Sequence, residues 1–122
     1  DKDSLLWELA GGSLQKVDGG TAFKAARFGD ETAKRVVDDY IFCLAEGIAN
    51  LVNIFRPQAV MLGGGISNEG DALLKPLKET VNSLIYVNTE YAPLDIVRAK
   101  LGNDAGIYGA YAYALQREKE AQ

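Results

Sequence analysis

Two glycine-bearing segments are the places where this sequence could do chemistry. The first is Val60-Met61-Leu62-Gly63-Gly64-Gly65-Ile66-Ser67, a short apolar run closed by three consecutive glycines. Glycine lets backbone come close to a ligand and presents N–H groups unhindered by a β-carbon, so such a turn suits nucleotide or phosphate oxygens without needing basic side chains. It is not a P-loop, because no Gly-Lys-Ser/Thr follows, and it is not a complete GxGxxG fingerprint. The same residues also suit a plain strand-to-loop turn. The second segment, Lys100 to Ala110, is again a strand end, a turn and a helix start. Asn103 or Asp104 suits its N-cap, which would aim the helix N-terminus beyond the sheet. Gly106, Gly109 and Ala110 put small residues on one face, which fits either close approach of another helix or simple packing.

Other candidates carry less. Asp18-Gly19-Gly20-Thr21 is one residue short of a phosphate-binding Asp-x-Gly-Gly-Thr turn. No apolar strand precedes it and a helix follows, so it reads as a loop with Thr21 as a helix cap. Glu46, Asn50 and Asn53 form a polar line on a helix and read as a solvated or domain-facing edge. Tyr108, Tyr111 and Tyr113 could stack a base, but core or interface packing suits them better.

The residues that are missing exclude more than those present suggest. Among 122 residues there is no His and a single Cys, Cys43. His-based triads, Cys–His nucleophiles, His-ligated metals and CxxC zinc sites are therefore excluded within these residues, as is an intrachain disulfide. Cys43, in an apolar helical context, reads as a small buried hydrophobe. With 13 Lys and Arg against 17 Asp and Glu the net charge is −4, which speaks against a nucleic-acid- or membrane-binding surface. No apolar run has membrane-spanning length, and the first residues carry no signal-peptide pattern, so a cytoplasmic location is expected. The absence of an initial Met suggests a piece of something longer.

The elements that must position the glycine turns follow from local signals. A short helical segment, Ser4 to Ala10, stops at Gly11 and Gly12. A helix from Ala22 to Phe28 stops at Gly29. Asp30 then opens the longest element, Glu31 to Arg56, where Val37, Ile41, Leu44, Ile48, Leu51 and Phe55 recur at helical spacing. Val36, Tyr40, Ala45, Ala49 and Val52 widen that stripe, so the helix is expected to be largely buried. Pro57 ends it. A strand is expected at Ala59 to Leu62, a helix at Asp71 to Leu84 with Pro76 near its first turn or at a kink, a strand at Asp95 to Ala99 after Pro93, and a helix at Ala105 to Glu118. A helix between two strands implies a parallel crossover, so the class is α/β with extra helices at the N-terminal end.

Taken together, the segments resemble the C-terminal part of the ROK family of repressors and sugar kinases. The residues that carry the likeness are Gly47-Ile48-Ala49-Asn50-Leu51-Val52-Asn53 with Arg56-Pro57, then Val60 to Ser67, Leu73-Leu74-Lys75-Pro76-Leu77, and Leu101 to Ala110. They occur in order from about Thr21 onward; residues up to Gly20 carry little of it. The resemblance implies the C-terminal lobe of the actin-like ATPase, ribonuclease H-like fold, with residues 1–122 as a single domain. It implies that Gly63, Gly64 and Gly65 belong to a nucleotide-contacting turn, with ATP and Mg²⁺ as the cofactors and a hexose as the partner substrate. A missing N-terminal lobe and a second copy of the chain are the protein partners it implies, and the final helix is expected to pack towards that lobe. The family's first phosphate turn, catalytic Asp, sugar-binding residues and Cys/His zinc cluster have no counterpart here, so no catalytic residue and no metal ligand is assigned. Three functions fit: part of an ATP-dependent hexose kinase, inactive by itself; the sugar-sensing lobe of a repressor; or a non-catalytic dimerisation domain. Gly64→Val is expected to weaken ATP binding and leave the fold intact.

Overall fold

The computed structural model describes residues 2–87 and 94–120. Its elements run α1 (Leu5–Leu9), α2 (Gly19–Arg27), α3 (Glu31–Phe55), β1 (Ala59–Leu62), α4 (Asp71–Leu84), β2 (Asp95–Arg98) and α5 (Ala105–Glu120), with short 3₁₀ turns at Leu14–Lys16, Gly65–Glu69 and Gly102–Asp104. The α/β class and the expected order of elements hold. The final helix runs two residues beyond the expected end, and Pro93 lies outside the described residues.

The helix starts depend on side-chain acceptors. Asp30 accepts from the Ala33 N–H at 2.7 Å and so caps α3. The same carboxylate accepts from the Leu5 N–H at 2.7 Å and the Ser4 hydroxyl at 3.0 Å, which ties the start of α1 to the start of α3. These donors, first the Ala33 N–H and then the Leu5 N–H, hold the Asp30 carboxyl below its ordinary pKa. Helix α2 corrects the sequence expectation. Asp18, not Thr21, is the cap, accepting from both the N–H and the hydroxyl of Thr21 at 2.7 Å, and the helix begins at Gly19. Asp and Thr are both good capping residues; here the carboxylate of Asp18 takes the N–H three residues on and also the Thr21 hydroxyl, which is thereby a donor and not a cap. Helix α3 ends one residue earlier than expected, because Arg56 turns left-handed at φ 51° and Pro57 cannot continue the ladder.

Strands β1 and β2 pair in parallel, with Ala59 opposite Asp95 and Leu62 opposite Arg98. The Ala99 N–H still bonds the Leu62 carbonyl at 2.8 Å, so the ladder extends one residue past the end of β2. Helices α3 and α4 pack together, and the core lies between them and the sheet, with Ile96 buried and Val60 and Leu62 packed against it. In α4, Leu73, Leu77 and Val81 recur every fourth residue and are fully buried. Pro76 sits inside α4, where the Thr80 hydroxyl donates to its carbonyl at 2.8 Å.

The expectation that α3 is largely buried is not met. Val37, Ile41, Ala45, Ile48, Ala49 and Val52 are buried, but Val36, Tyr40, Leu51 and Phe55 are exposed and Leu44 is half-buried. The apolar pattern spans more of the helix circumference than α2, α4 and the sheet cover. Cys43 falls on the uncovered side and is exposed, not buried. The outer face of the sheet is likewise open, with Met61 74% exposed. Helix α5 has no buried residue, so Tyr108, Tyr111 and Tyr113 are not core residues of this chain. No helix among the described residues is long and apolar enough to cross a membrane.

Candidate functional site: the glycine turns at the carboxyl ends of the strands

Because β1 and β2 are parallel, their carboxyl ends share one edge of the sheet, the edge where open α/β sheets gather ligands. The chain leaves β1 through Gly63 and Gly64 and enters the 3₁₀ turn Gly65–Glu69; it leaves β2 through Ala99 to Leu101 into the 3₁₀ turn Gly102–Asp104. The two 3₁₀ turns lie beside each other. The structure thus brings the two candidate segments together. It does not make Asn103 or Asp104 an extended N-cap, since the 3₁₀ turn runs directly into α5.

The three glycines differ in what holds them. Gly64 has φ 78° and ψ 177°, a conformation that L side chains rarely adopt, so a β-branched residue there would strain the turn itself. Gly64→Val is therefore not the fold-neutral substitution that the sequence suggests. Gly63 and Gly65 have no positive φ. A β-carbon on Gly63 would stand 4.0 Å from the Ala99 β-carbon, an ordinary contact, and one on Gly65 would meet nothing within 4 Å. All three glycines are exposed. Among the described residues, neither backbone conformation nor packing asks for glycine at positions 63 and 65. The space beside Gly65 is taken up by none of the described residues.

The rest of the turn is fixed from three sides. Ser67 is 1% exposed, and its hydroxyl donates to the Gly64 carbonyl at 2.7 Å while its N–H reaches the same oxygen at 3.2 Å. Arg98 of β2 donates to the Asn68 side chain, and Arg27 of α2 pairs with Glu69. The start of α2 closes in as well: a β-carbon on Gly19 would lie 2.9 Å from Ile66 Cδ1, so glycine there permits a close approach. Beside this contact runs an apolar groove lined by Val17, Gly19, Phe23, Val36, Tyr40 and Ile66. Asp18 stands at its rim, its carboxyl held below the ordinary value by the Thr21 hydroxyl and then the Thr21 N–H. Read from sequence, Asp18 to Thr21 is a loop with a cap, and neither the groove nor Ser67 stands out; the local signal is Gly19, whose packing partner Ile66 is 47 residues away.

The remaining candidates sit elsewhere. The polar line on α3 ends at Asn53, whose Oδ1 accepts from the Tyr86 N–H at 3.0 Å. That is the end of α3 leading into the start of β1, away from the glycine turns. Among the described residues no group of three or more Cys, Asp or Glu side chains could hold a metal ion.

Comparison with known proteins places this arrangement. The sequence pattern of the ROK family matches residues 4–117. A glucokinase of Thermotoga maritima is 39% identical over 117 residues, covering 93% of this chain and 35% of that protein. A putative xylose repressor of Caldicellulosiruptor is 30% identical over 103 residues, 84% of this chain and 26% of that protein. The crystal structure of a ROK family glucokinase from Streptomyces griseus, in complex with glucose and AMPPNP, superposes with a TM-score of 0.79 at 30% identity, over 92% of this chain and 36% of that one. This chain therefore spans about a third of the length of the glucokinases it matches, and its α/β fold is that of the ROK sugar kinases, the actin-like ATPase fold. With pattern, sequence and fold in agreement over nearly all of its residues, the chain belongs to the ROK family.

Proposed function

We propose that residues 1–122 are the C-terminal, nucleotide-side lobe of an ATP-dependent hexose kinase that phosphorylates glucose to glucose 6-phosphate. The observation that carries this reading is that Gly63 and Gly65 have no positive φ and no close neighbour among the described residues, so their own fold does not call for glycine there. Backbone N–H groups along the turn would meet oxygens of the nucleotide, and the apolar groove beside Ile66 would take the base. Such a site needs no net positive charge, in keeping with the chain's −4. The glucokinase from Streptomyces griseus, solved with glucose and AMPPNP, supports the choice of ligands.

Phosphoryl transfer also needs a base for the sugar hydroxyl and groups that hold the γ-phosphate and Mg²⁺. No residue of this chain is given those parts. Mg²⁺ would arrive on the nucleotide phosphates, and the base and sugar contacts would come from the N-terminal lobe, so residues 1–122 alone would be inactive. A cytoplasmic location and association of two copies go with this reading.

The test is glucose-dependent ADP formation. The intact protein should show it, and residues 1–122 alone should not. Turnover by these residues alone would overturn the assignment of the base to the other lobe. Absence of turnover in the intact protein would overturn the kinase reading.

A second reading, the sugar-sensing lobe of a transcriptional repressor, is favoured by the xylose repressor relative at 30% identity. Sugar-dependent DNA binding by the intact protein, with no ATP turnover, would establish it in place of the first.

A further inference from the structure

We propose that the outer face of α3 is a docking surface for a second copy of this chain, with two α3 helices packed antiparallel about a two-fold axis at Gly47. This surface serves the association of two copies and is independent of the kinase reading.

Helix α3 carries two apolar stripes. One, through Ile41, Ala45, Ile48 and Val52, is buried against α2, α4 and the sheet. The other runs through Tyr40, Cys43, Gly47, Leu51 and Ile54 at intervals of three, four, four and three residues, which keeps them on one face of an α-helix. None of the described residues covers this second stripe: Cys43 and Gly47 are exposed, Leu51 is 55% exposed and Ile54 70%. Half-buried Leu44 and exposed Phe55 flank it. A contiguous exposed apolar patch of this kind marks an interaction surface.

The stripe reads alike from both ends. Cys43 and Tyr40 stand four and seven positions before Gly47, and Leu51 and Ile54 stand four and seven positions after it. Two antiparallel copies that meet at Gly47 therefore place Tyr40 against Ile54, Cys43 against Leu51 and glycine against glycine. That is the self-complementary arrangement of an isologous contact. The stripe is uncharged, so two chains of net charge −4 meet there without like charges face to face. Asp39 and Glu46 stand exposed at one rim, where solvent and salt screen them.

Gly47 points the same way independently of the apolar pattern. A glycine inside a helix is destabilising relative to alanine. Gly47 has no positive φ, and a β-carbon there would meet nothing within 4 Å among the described residues. The fold of these residues gives no reason for it. A close crossing of two helices does, because the side chains at the contact set the distance between the axes.

The test uses the intact protein, and Tyr40, which also borders the groove beside Ile66, is left unaltered. Sedimentation velocity across a dilution series should show a monomer–dimer equilibrium. Gly47→Gln improves helix propensity but puts a long side chain at the two-fold, where it enters the contact twice. Association should weaken by roughly a hundred-fold, with helical content no lower. Gly47→Ala should fall between the two. Leu51→Cys supplies a reading that does not depend on disruption. Positions 43 and 51 of one helix are roughly 12 Å apart along its axis, beyond the reach of a disulfide, so a bridge from Cys43 to the cysteine introduced at 51 forms only between copies. Mild oxidation should yield a bridged dimer, with the joined peptides identified by mass spectrometry; Asp38→Cys, on the far side of α3, should yield none. A protein that is monomeric at every concentration, a dimer whose association Gly47→Gln leaves unchanged, or a dimer in which Leu51→Cys forms no bridge would overturn the proposal. A monomer whose Cys43 does not react with a maleimide would overturn it by showing that the rest of the same chain covers the stripe. Glucose-dependent ADP formation, measured alongside, decides the kinase reading separately.

Discussion

Gly19 and Gly65 are both glycines at the start of a helical turn, and they do opposite work. At Gly19 a β-carbon would meet Ile66 Cδ1 at 2.9 Å, so the missing side chain lets α2 press against the turn after β1. At Gly65 a β-carbon would meet nothing within 4 Å among the described residues, so the missing side chain leaves space that none of them takes up. One glycine closes a gap inside the fold; the other keeps one open outside it. The glycine content of a turn therefore says little about ligands until each missing β-carbon has been assigned to a neighbour or to empty space.

Substitution at the two positions should separate these roles. On the proposed kinase reading, the largest effect is expected from Gly65→Val in the intact protein. If the turn holds the nucleotide as proposed, the added branches would enter its approach path, and the KM for ATP should rise by roughly a hundred-fold, about 2.7 kcal/mol of lost binding, with melting temperature and glucose KM unchanged. A falling melting temperature with unchanged ATP affinity would assign Gly65 to packing, like Gly19. Gly19→Val should show the reverse pattern, a small loss of stability in denaturant titrations with ATP affinity unchanged, small because the atom it meets is the far end of the Ile66 side chain, which can turn aside. Trimming the opposing atom with Ile66→Val should return part of that loss, and additive effects in the double variant would mean that the two residues do not touch in solution.

How far these contrasts were legible in the sequence depends on the range of the signal. The bounds of β1 and α4 agree with the sequence expectation because local residues set them: Pro57 and Gly63 around the strand, and Gly70 before Asp71. The glycines at positions 63 to 65 were legible as a candidate turn for the same reason. Long-range facts were not. Leu51 and Phe55 fit the apolar stripe of α3 as well as Ile48 does, yet only Ile48 finds a neighbour that covers it. Serine at 67 looks like any turn residue until the fold buries it, and the meaning of Gly19 depends on Ile66.

The smallest expected effect concerns the caps that hold the two regions in place. Asp18 and Asp30 have carboxyl pKa values lowered from an ordinary 3.8 by the N–H and hydroxyl donors they accept from. A depressed folded-state pKa adds stability that is present above the unfolded value and is lost as pH falls through the folded value. Helicity should therefore fall on acidification below about pH 4, and less steeply in a variant carrying Asp18→Asn and Asp30→Asn, because the amides hold no charge to lose. Identical acid profiles for the two proteins would show that the caps contribute nothing through their charge.

Asp30 carries one more consequence. Helix α1 has five residues, too few to persist in water without support. Its first N–H and its own cap, Ser4, both donate to the carboxylate that also begins α3. The two helices thus share one nucleation event. Unwinding the first turn of α3 would release α1 at once, so the N-terminal residues and the long helix that leads to the glycine turn form one cooperative unit of unfolding.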